Sequence, residues 1–115
     1  MPKSQNAVNY TIRDIKEGLS KDHFSEQEIF EHYQDKIKKE NKNLNAFLSV
    51  FRNSKLEIRN SQTASPLWGV PAAIKDNMLI DGTICTAGSK ILVNYISAYD
   101  ASVINKLRGA GAQFL

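Results

Sequence analysis

The chain has 115 residues and a mass of 12.9 kDa, the size of one small domain. Hydrophobic residues make up 42% and charged residues 23%, so wholesale disorder is excluded. No apolar stretch approaches the roughly 18 residues of a membrane-spanning helix, and Met1–Asn6 lacks the apolar run of a secretory signal behind it. A single cysteine, Cys85, excludes an internal disulfide framework and a multi-cysteine zinc site; a reducing, intracellular location fits. The net charge of +3 hides an asymmetry. Residues 1–60 hold 11 Lys/Arg and 9 Asp/Glu, whereas residues 61–115 hold 4 and 3. Both signs are interleaved, which argues against a nucleic-acid footprint. The first half reads as a solvated helical layer and the second as core.

A first helix is expected from Tyr10 to Leu19. Thr11 caps it, with Asp14 three residues on, and Ile12, Ile15 and Leu19 share a face. The second helix starts at a capping box, Ser25-Glu26-Gln27-Glu28. Phe24 and Ile29 flank that box as a hydrophobic staple. Ile29, Phe30, Tyr33 and Ile37 form its apolar stripe, and the helix is expected to stop near Glu40, before Asn41-Lys42-Asn43. A strand is read from Ala46 to Phe51, then a polar linker over 52–67. The composition shifts at Gly69-Val70-Pro71-Ala72-Ala73-Ile74, an apolar run that meets Lys75-Asp76-Asn77 at its end. Residues 78–86 read as a hairpin about Asp81-Gly82. A short helix is expected from Ser89 through Val93. Asp100 reads as the cap of a helix over Ala101–Gly109, with Val103, Ile104 and Leu107 inward and Gly109 and Gly111 ending it. Gln113-Phe114-Leu115 then opens another strand.

Strand, helix and strand in that order imply a parallel sheet. Its last strand stops after about three residues, so the chain is expected to be the front part of a larger α/β domain. The division expected is a helical hairpin with a first strand over 1–60, and the start of a catalytic core over 61–115.

Lys75 is the residue singled out. It stands at the C-terminal end of an apolar strand, the edge at which ligands bind in open α/β sheets. Burial there lowers a lysine's pKa; service as a base near neutral pH needs a drop of about 3 units from roughly 10.4. The alternative is a lysine snorkelling at a strand end and paired with Asp76. Cys85 has no base near it in sequence, because His23 and His32 lie in the charged half. A buried, inert thiol is favoured. The two histidines read as surface residues without metal-ligand spacing. Gly109-Ala110-Gly111 follows a helix instead of opening one, so it is a helix stop and not a phosphate loop.

The run Gly69-Val70-Pro71-Ala72-Ala73-Ile74-Lys75-Asp76-Asn77 resembles the lysine motif of the amidase signature family. The likeness continues through Thr86-Ala87-Gly88-Ser89-Lys90-Ile91-Leu92, Tyr99-Asp100-Ala101-Ser102-Val103, Leu107 and Ala110-Gly111-Ala112. Ile74-Lys75-Asp76-Asn77 and Ser89-Lys90-Ile91-Leu92 are most similar to the branch that forms the A subunit of glutamyl-tRNA(Gln) amidotransferase, as are the helical pair and Leu44-Asn45-Ala46-Phe47. The resemblance implies an α/β/α fold, a mixed sheet flanked by helices, of which this chain is the N-terminal part. It implies a Ser–Ser–Lys triad whose lysine is Lys75. A neutral lysine takes a proton from a bridging serine, which activates a nucleophilic serine, and backbone N–H groups hold the oxyanion. Both serines lie further on in the family; Ser89 and Ser102 are not those residues. Asp76 and Asn77 are candidates for orienting the lysine or lining the substrate pocket, with turn-forming roles as the alternative, and the resemblance brings Thr86 and Gly88 near the site. The stretch from Phe51 to Gly69 is shorter than usual in this branch.

For the whole enzyme, the resemblance implies glutamine hydrolysis that feeds ammonia to the conversion of Glu-tRNA(Gln) to Gln-tRNA(Gln). The expected partners are amidotransferase subunits B and C and, through the complex, tRNA. ATP and magnesium are used in the partner subunit, with no cofactor or metal in this chain. The expected compartment is the cytoplasm, or the mitochondrial matrix in a eukaryote. A stand-alone amidase acting on another amide and a non-catalytic interaction module are the competing readings. One triad member of three predicts no measurable glutamine hydrolysis by residues 1–115 alone, because triad members act as a unit. An ammonia-release assay on the purified chain checks this; hydrolysis that disappears in Lys75→Ala would overturn it.

Overall fold

The computed structural model describes residues 9–51 and 65–115; most of the polar linker expected over 52–67 lies outside the described residues. Helix α1 runs Ile12–Ser20 and helix α2 Glu26–Leu44. Both begin at reciprocal capping boxes. The Asp14 N–H donates to Thr11 Oγ1 at 3.2 Å, and Asp14 Oδ2 accepts from the Thr11 N–H at 2.8 Å. Ser25 and Glu28 repeat the arrangement at 3.2 and 2.8 Å. Each box satisfies two of the donors a helix start leaves open. The Thr11 bonds hold the Asp14 carboxyl below the usual range, and those of Ser25 do the same for Glu28.

The turn between the helices is tight. Asp22 takes a left-handed φ of +53°, and the His23 N–H returns to the Gly18 carbonyl at 2.9 Å. That return lays the Phe24 ring against Gly18, where a Cβ would stand 2.3 Å from the ring. Ile15, Leu19, Phe24, Ile29 and Val70 form the first core cluster; Phe24 and Ile29 pack in it together, as a staple requires. Ile12, expected on the same face, is exposed and lines the open groove between the helices and the sheet.

Helix α2 outruns the expected stop at Glu40 and closes at Leu44, where Asn45 turns left-handed at φ +50°. Asn41 was part of the stop signal, yet its side chain does another job. Asn41 Nδ2 donates to the Phe47 carbonyl at 2.9 Å, and Asn41 Oδ1 accepts from the Phe47 N–H at 2.8 Å. With those backbone groups bonded to a helix side chain, the strand expected over Ala46–Phe51 does not form. The segment is irregular.

Strand β1 is Pro71–Ala72 and strand β2 is Gln113–Phe114. They pair in parallel, with Pro71 opposite Gln113 and Ala72 opposite Phe114. The parallel sheet expected from the strand–helix–strand order is thus present. The Gln113 and Leu115 N–H groups donate to the carbonyls of Val70 and Ala72 at 2.9 and 3.0 Å. Pro71, which has no N–H to give, therefore occupies a position facing away from β2 and costs the ladder nothing. Gly69 (φ +72°) comes so close to α1 that a Cβ would lie 2.8 Å from Leu19 Cδ1.

The crossover holds one 3-10 turn, Lys90–Leu92, where a short helix from Ser89 to Val93 was expected, and helix α3, Ser102–Gly109. Ala101 caps α3. Asp100 does not, because its carboxylate is engaged elsewhere: Oδ1 accepts from the Asp81 N–H at 2.8 Å, and Oδ2 lies 3.5 Å from Arg108 Nε. The Asp81-Gly82 turn exists, since the Thr83 N–H donates to the Ile80 carbonyl at 3.0 Å, but it makes no hairpin. Gly82 has φ +76° while Asp81 stays at negative φ; hairpin turns need positive φ at the first central residue. Residues 82–85 pair instead with 95–97, through a bridge between Ile84 and Ile96.

Ile80, Ile104, Ala112 and Phe114 make the second core cluster, and Leu67 touches both clusters. Val103, expected inward, is 43% exposed, whereas Ile104 is 0% exposed. Ile104→Ala is therefore expected to cost about 2–5 kcal/mol, and Val103→Ala less than about 0.5 kcal/mol. Urea unfolding of the two variants measures the difference.

Candidate functional site

Lys75 stands three residues beyond β1, at the C-terminal end of the parallel pair. It borders a cleft of about 540 Å³ whose wall includes Phe47, Phe51, Ile74, Met78, Ile80 and Leu115. The burial expected for it at an apolar strand end is not found: Lys75 is exposed in these 115 residues. The strand is only two residues long, so Ile74 reaches the second core cluster while Lys75 passes its rim. The ion pair with Asp76 is not formed either; both Asp76 carboxylate oxygens accept from another residue.

That residue is Thr86. Its N–H donates to Asp76 Oδ1 at 3.0 Å, and its Oγ1 donates to Asp76 Oδ2. The Asp76 backbone carbonyl accepts from the Ala87 N–H at 2.8 Å and from the Cys85 thiol at 3.4 Å. The Gly88 N–H in turn donates to Thr86 Oγ1 at 3.1 Å. The Thr86 hydroxyl and then its N–H hold the Asp76 carboxyl below the usual carboxylate range, against a smaller opposing effect of desolvation.

Ala87 and Gly88 both lie in the left-handed region, at φ +48° and +72°. For alanine this costs roughly 1–2 kcal/mol, and the hydrogen bonds around Asp76 hold it there. No atom lies within 4 Å of where a Gly88 Cβ would stand, so glycine serves the backbone conformation and not a close approach. Asn77 is exposed in the turn that follows, closed by the Met78 N–H on the Lys75 carbonyl at 3.1 Å.

Cys85 is buried. Among the described residues no group of three or more His, Cys, Asp or Glu side chains could hold a metal ion. His32 stacks edge-on against Tyr10 and Tyr33, with ring centroids 5.9 and 5.2 Å away, and His23 is exposed on the far side of Gly18 in sequence. No described helix is long and apolar enough to cross a membrane.

Residues 28–115 match the Amidase family. The chain belongs to the amidase family. Within that family it is 36% identical, over 96% of its own length, to the A subunit of glutamyl-tRNA(Gln) amidotransferase from Lactobacillus acidophilus, and covers 23% of that subunit. The crystal structure of the Thermotoga maritima A subunit superimposes with a TM-score of 0.74 at 32% identity, over 93% of this chain and 22% of the other. An inhibitor-bound structure from a vestigial complex, described as revealing the origins of an s-triazine catabolic enzyme, gives a TM-score of 0.82 at 27% identity, over 92% and 25%. The chain thus spans about a quarter of the length of these amidase-family relatives, and its α/β fold is that of their N-terminal part.

The fold brings Lys75, Asp76, Asn77, Thr86 and Gly88 into one loop cluster at the strand end. Asp76 and Thr86, both candidates near the site in the sequence, bond to each other. The role of Cys85 as a donor to the same loop was missed, and a small thiol nine residues from Asp76 carries no signal of it. Acid titration tests the arrangement. A carboxyl depressed by native hydrogen bonds contributes stability at neutral pH that is lost as pH falls through its folded value. The Asp76 carboxyl carbon, followed by NMR, is expected to titrate below the ordinary midpoint of about 3.9. In Asp76→Asn, less stability is expected to be lost below pH ~4.

Proposed function

We propose that this chain provides the first strand and the proton-accepting lysine of an amide hydrolase, and that its amide is glutamine. The observation that carries the reading is the placement of Lys75 just past the C-terminal end of β1, at a cleft mouth, within the matched amidase segment. An amine there can take a proton from a serine hydroxyl when the rest of the fold covers it. Covering removes water, which favours the neutral amine. The serine so activated passes the demand to the nucleophile, which attacks the amide carbonyl and forms an acyl-enzyme with loss of ammonia. Neither serine of this relay is assigned to the present residues.

The identities with the A subunits support the tRNA-linked version. In it, ammonia passes to a B subunit that activates Glu-tRNA(Gln) with ATP and magnesium, with a C subunit completing the assembly in the cytoplasm. The higher TM-score with the s-triazine-related complex supports a second version, in which the amide is another small molecule and no tRNA is involved.

The test replaces the matched N-terminal segment of the Thermotoga maritima A subunit with residues 1–115. The fused polypeptide is expected to release ammonia from glutamine, and Lys75→Ala to lower kcat by at least about a hundredfold. Undiminished hydrolysis in Lys75→Ala sinks the reading. Hydrolysis of simple carboxamides in preference to glutamine selects the second version.

A further inference from the structure

We propose that Asp76 is the positioning residue for Lys75 and acts through Thr86: the carboxylate–threonine clamp fixes the peptide that carries the lysine. The proposal rests on the reading of Lys75 as proton acceptor. Asp76 follows Lys75 directly, so whatever immobilises Asp76 fixes one side of the lysine. The other side is fixed three residues earlier by Ala72, whose carbonyl takes the Leu115 N–H at 3.0 Å. Four donors converge on Asp76, two on its carboxylate and two on its carbonyl, and all come from Cys85, Thr86 and Ala87. The lysine loop is thereby tied at one end to the sheet and at the other to a separate turn.

The chemistry of the donors sharpens the assignment. The groups that face Asp76 are the Thr86 hydroxyl and N–H, the Ala87 and Gly88 N–H groups and the Cys85 thiol, all neutral, and the adjoining charge is Lys75 itself. A carboxylate placed to neutralise a cation is not built this way. One placed to organise backbone is, because it accepts from main chain and side chain of one residue together. Both oxygens accept from Thr86, so one residue fixes the plane of the carboxylate. Thr86 gives its hydroxyl proton to Asp76 and its lone pair to the Gly88 N–H, which aligns the chain of bonds in one direction. Ionisation of Asp76 at neutral pH is favoured by these same bonds.

The test uses the 115-residue chain and two near-isosteric variants, Thr86→Val and Thr86→Ser. Amide hydrogen exchange is read at Ala87, which bonds the Asp76 carbonyl, and at Met78, which bonds the Lys75 carbonyl. Thr86→Val is expected to raise exchange at both by about tenfold, the scale of losing one charge-assisted hydrogen bond. Thr86→Ser is expected to stay within about threefold of the parent. Should Thr86→Val fail to fold, acid titration of the unaltered chain replaces it: the Ala87 and Met78 amide signals are expected to shift with the midpoint of the Asp76 carboxyl carbon. In the fused amidase, Thr86→Val is expected to lower kcat at least tenfold with KM unchanged, and Thr86→Ser to restore it. Unaltered Met78 exchange, separate titration midpoints, or a kcat indifferent to Thr86→Val would each overturn the proposal. A fused polypeptide inactive with Lys75 and Thr86 both intact would sink the amidase reading instead, and the exchange data would still decide the clamp.

Discussion

The backbone bonds between residues 67–72 and residues 110–115 are the constraint on which the described fold turns. They begin before the strands, with the Leu67 N–H on the Ala110 carbonyl at 2.8 Å and the Gly69 N–H on the Gly111 carbonyl at 3.1 Å. They continue through the two residue pairs of the sheet. Each is worth only about 0.5–1.5 kcal/mol net, but together they fix register. Register puts Val70 on the helical cluster and Phe114 in the cluster under α3. It also decides where the apolar run ends and Lys75 begins. A shift of one residue would exchange the two faces and carry the lysine away from its cleft.

Around that sheet the charged half and the apolar half of the chain divide the work unevenly. Helices α1 and α2 carry about half of the chain's charged residues and lend Ile15, Leu19 and Ile29 to a cluster completed by Phe24 and Val70. The loop after β1 is held in two ways: Ile74 and Met78 pack against the second core cluster, and Asp76 is bonded to a turn that is itself held in a left-handed conformation. The geometry about Lys75 therefore depends on hydrogen bonds as well as on packing. Such bonds are directional, and they lose their worth when a single partner changes.

How much of this was readable before the fold was known follows from the range over which each signal acts. The two helix caps were legible to the residue, because Thr11, Asp14, Ser25 and Glu28 bond within one turn of chain, although the first helix begins at Ile12 and not at Tyr10. The parallel pairing was legible from element order. The family was legible from the run through Lys75 and its two sequels, and the match over residues 28–115 bears it out. Where sequence reading failed, a distant partner had intervened. Asn41 read as a helix stop and is a clamp on Phe47; Ala46–Phe51 read as a strand and has that clamp instead of a neighbour. Asp100 read as a cap and serves Asp81 nineteen residues earlier. Asp76 and Thr86 were picked out together, but no local pattern says that two residues ten apart will face each other.

Pro71 gives the sheet a direction. Its ring stands where β1 turns away from β2, so that side of β1 presents a carbonyl at position 71 without a matching donor. Phe114, one step along from Gln113 in β2, turns its own N–H and C=O to the side opposite β1. The two margins of this small sheet are thus chemically unequal. A third strand laid beside β2 meets both a donor and an acceptor, whereas one laid beside β1 meets a gap. Growth of the sheet is biased toward the β2 margin by one imino acid, and the same residue shields the opposite margin from unwanted pairing with another chain.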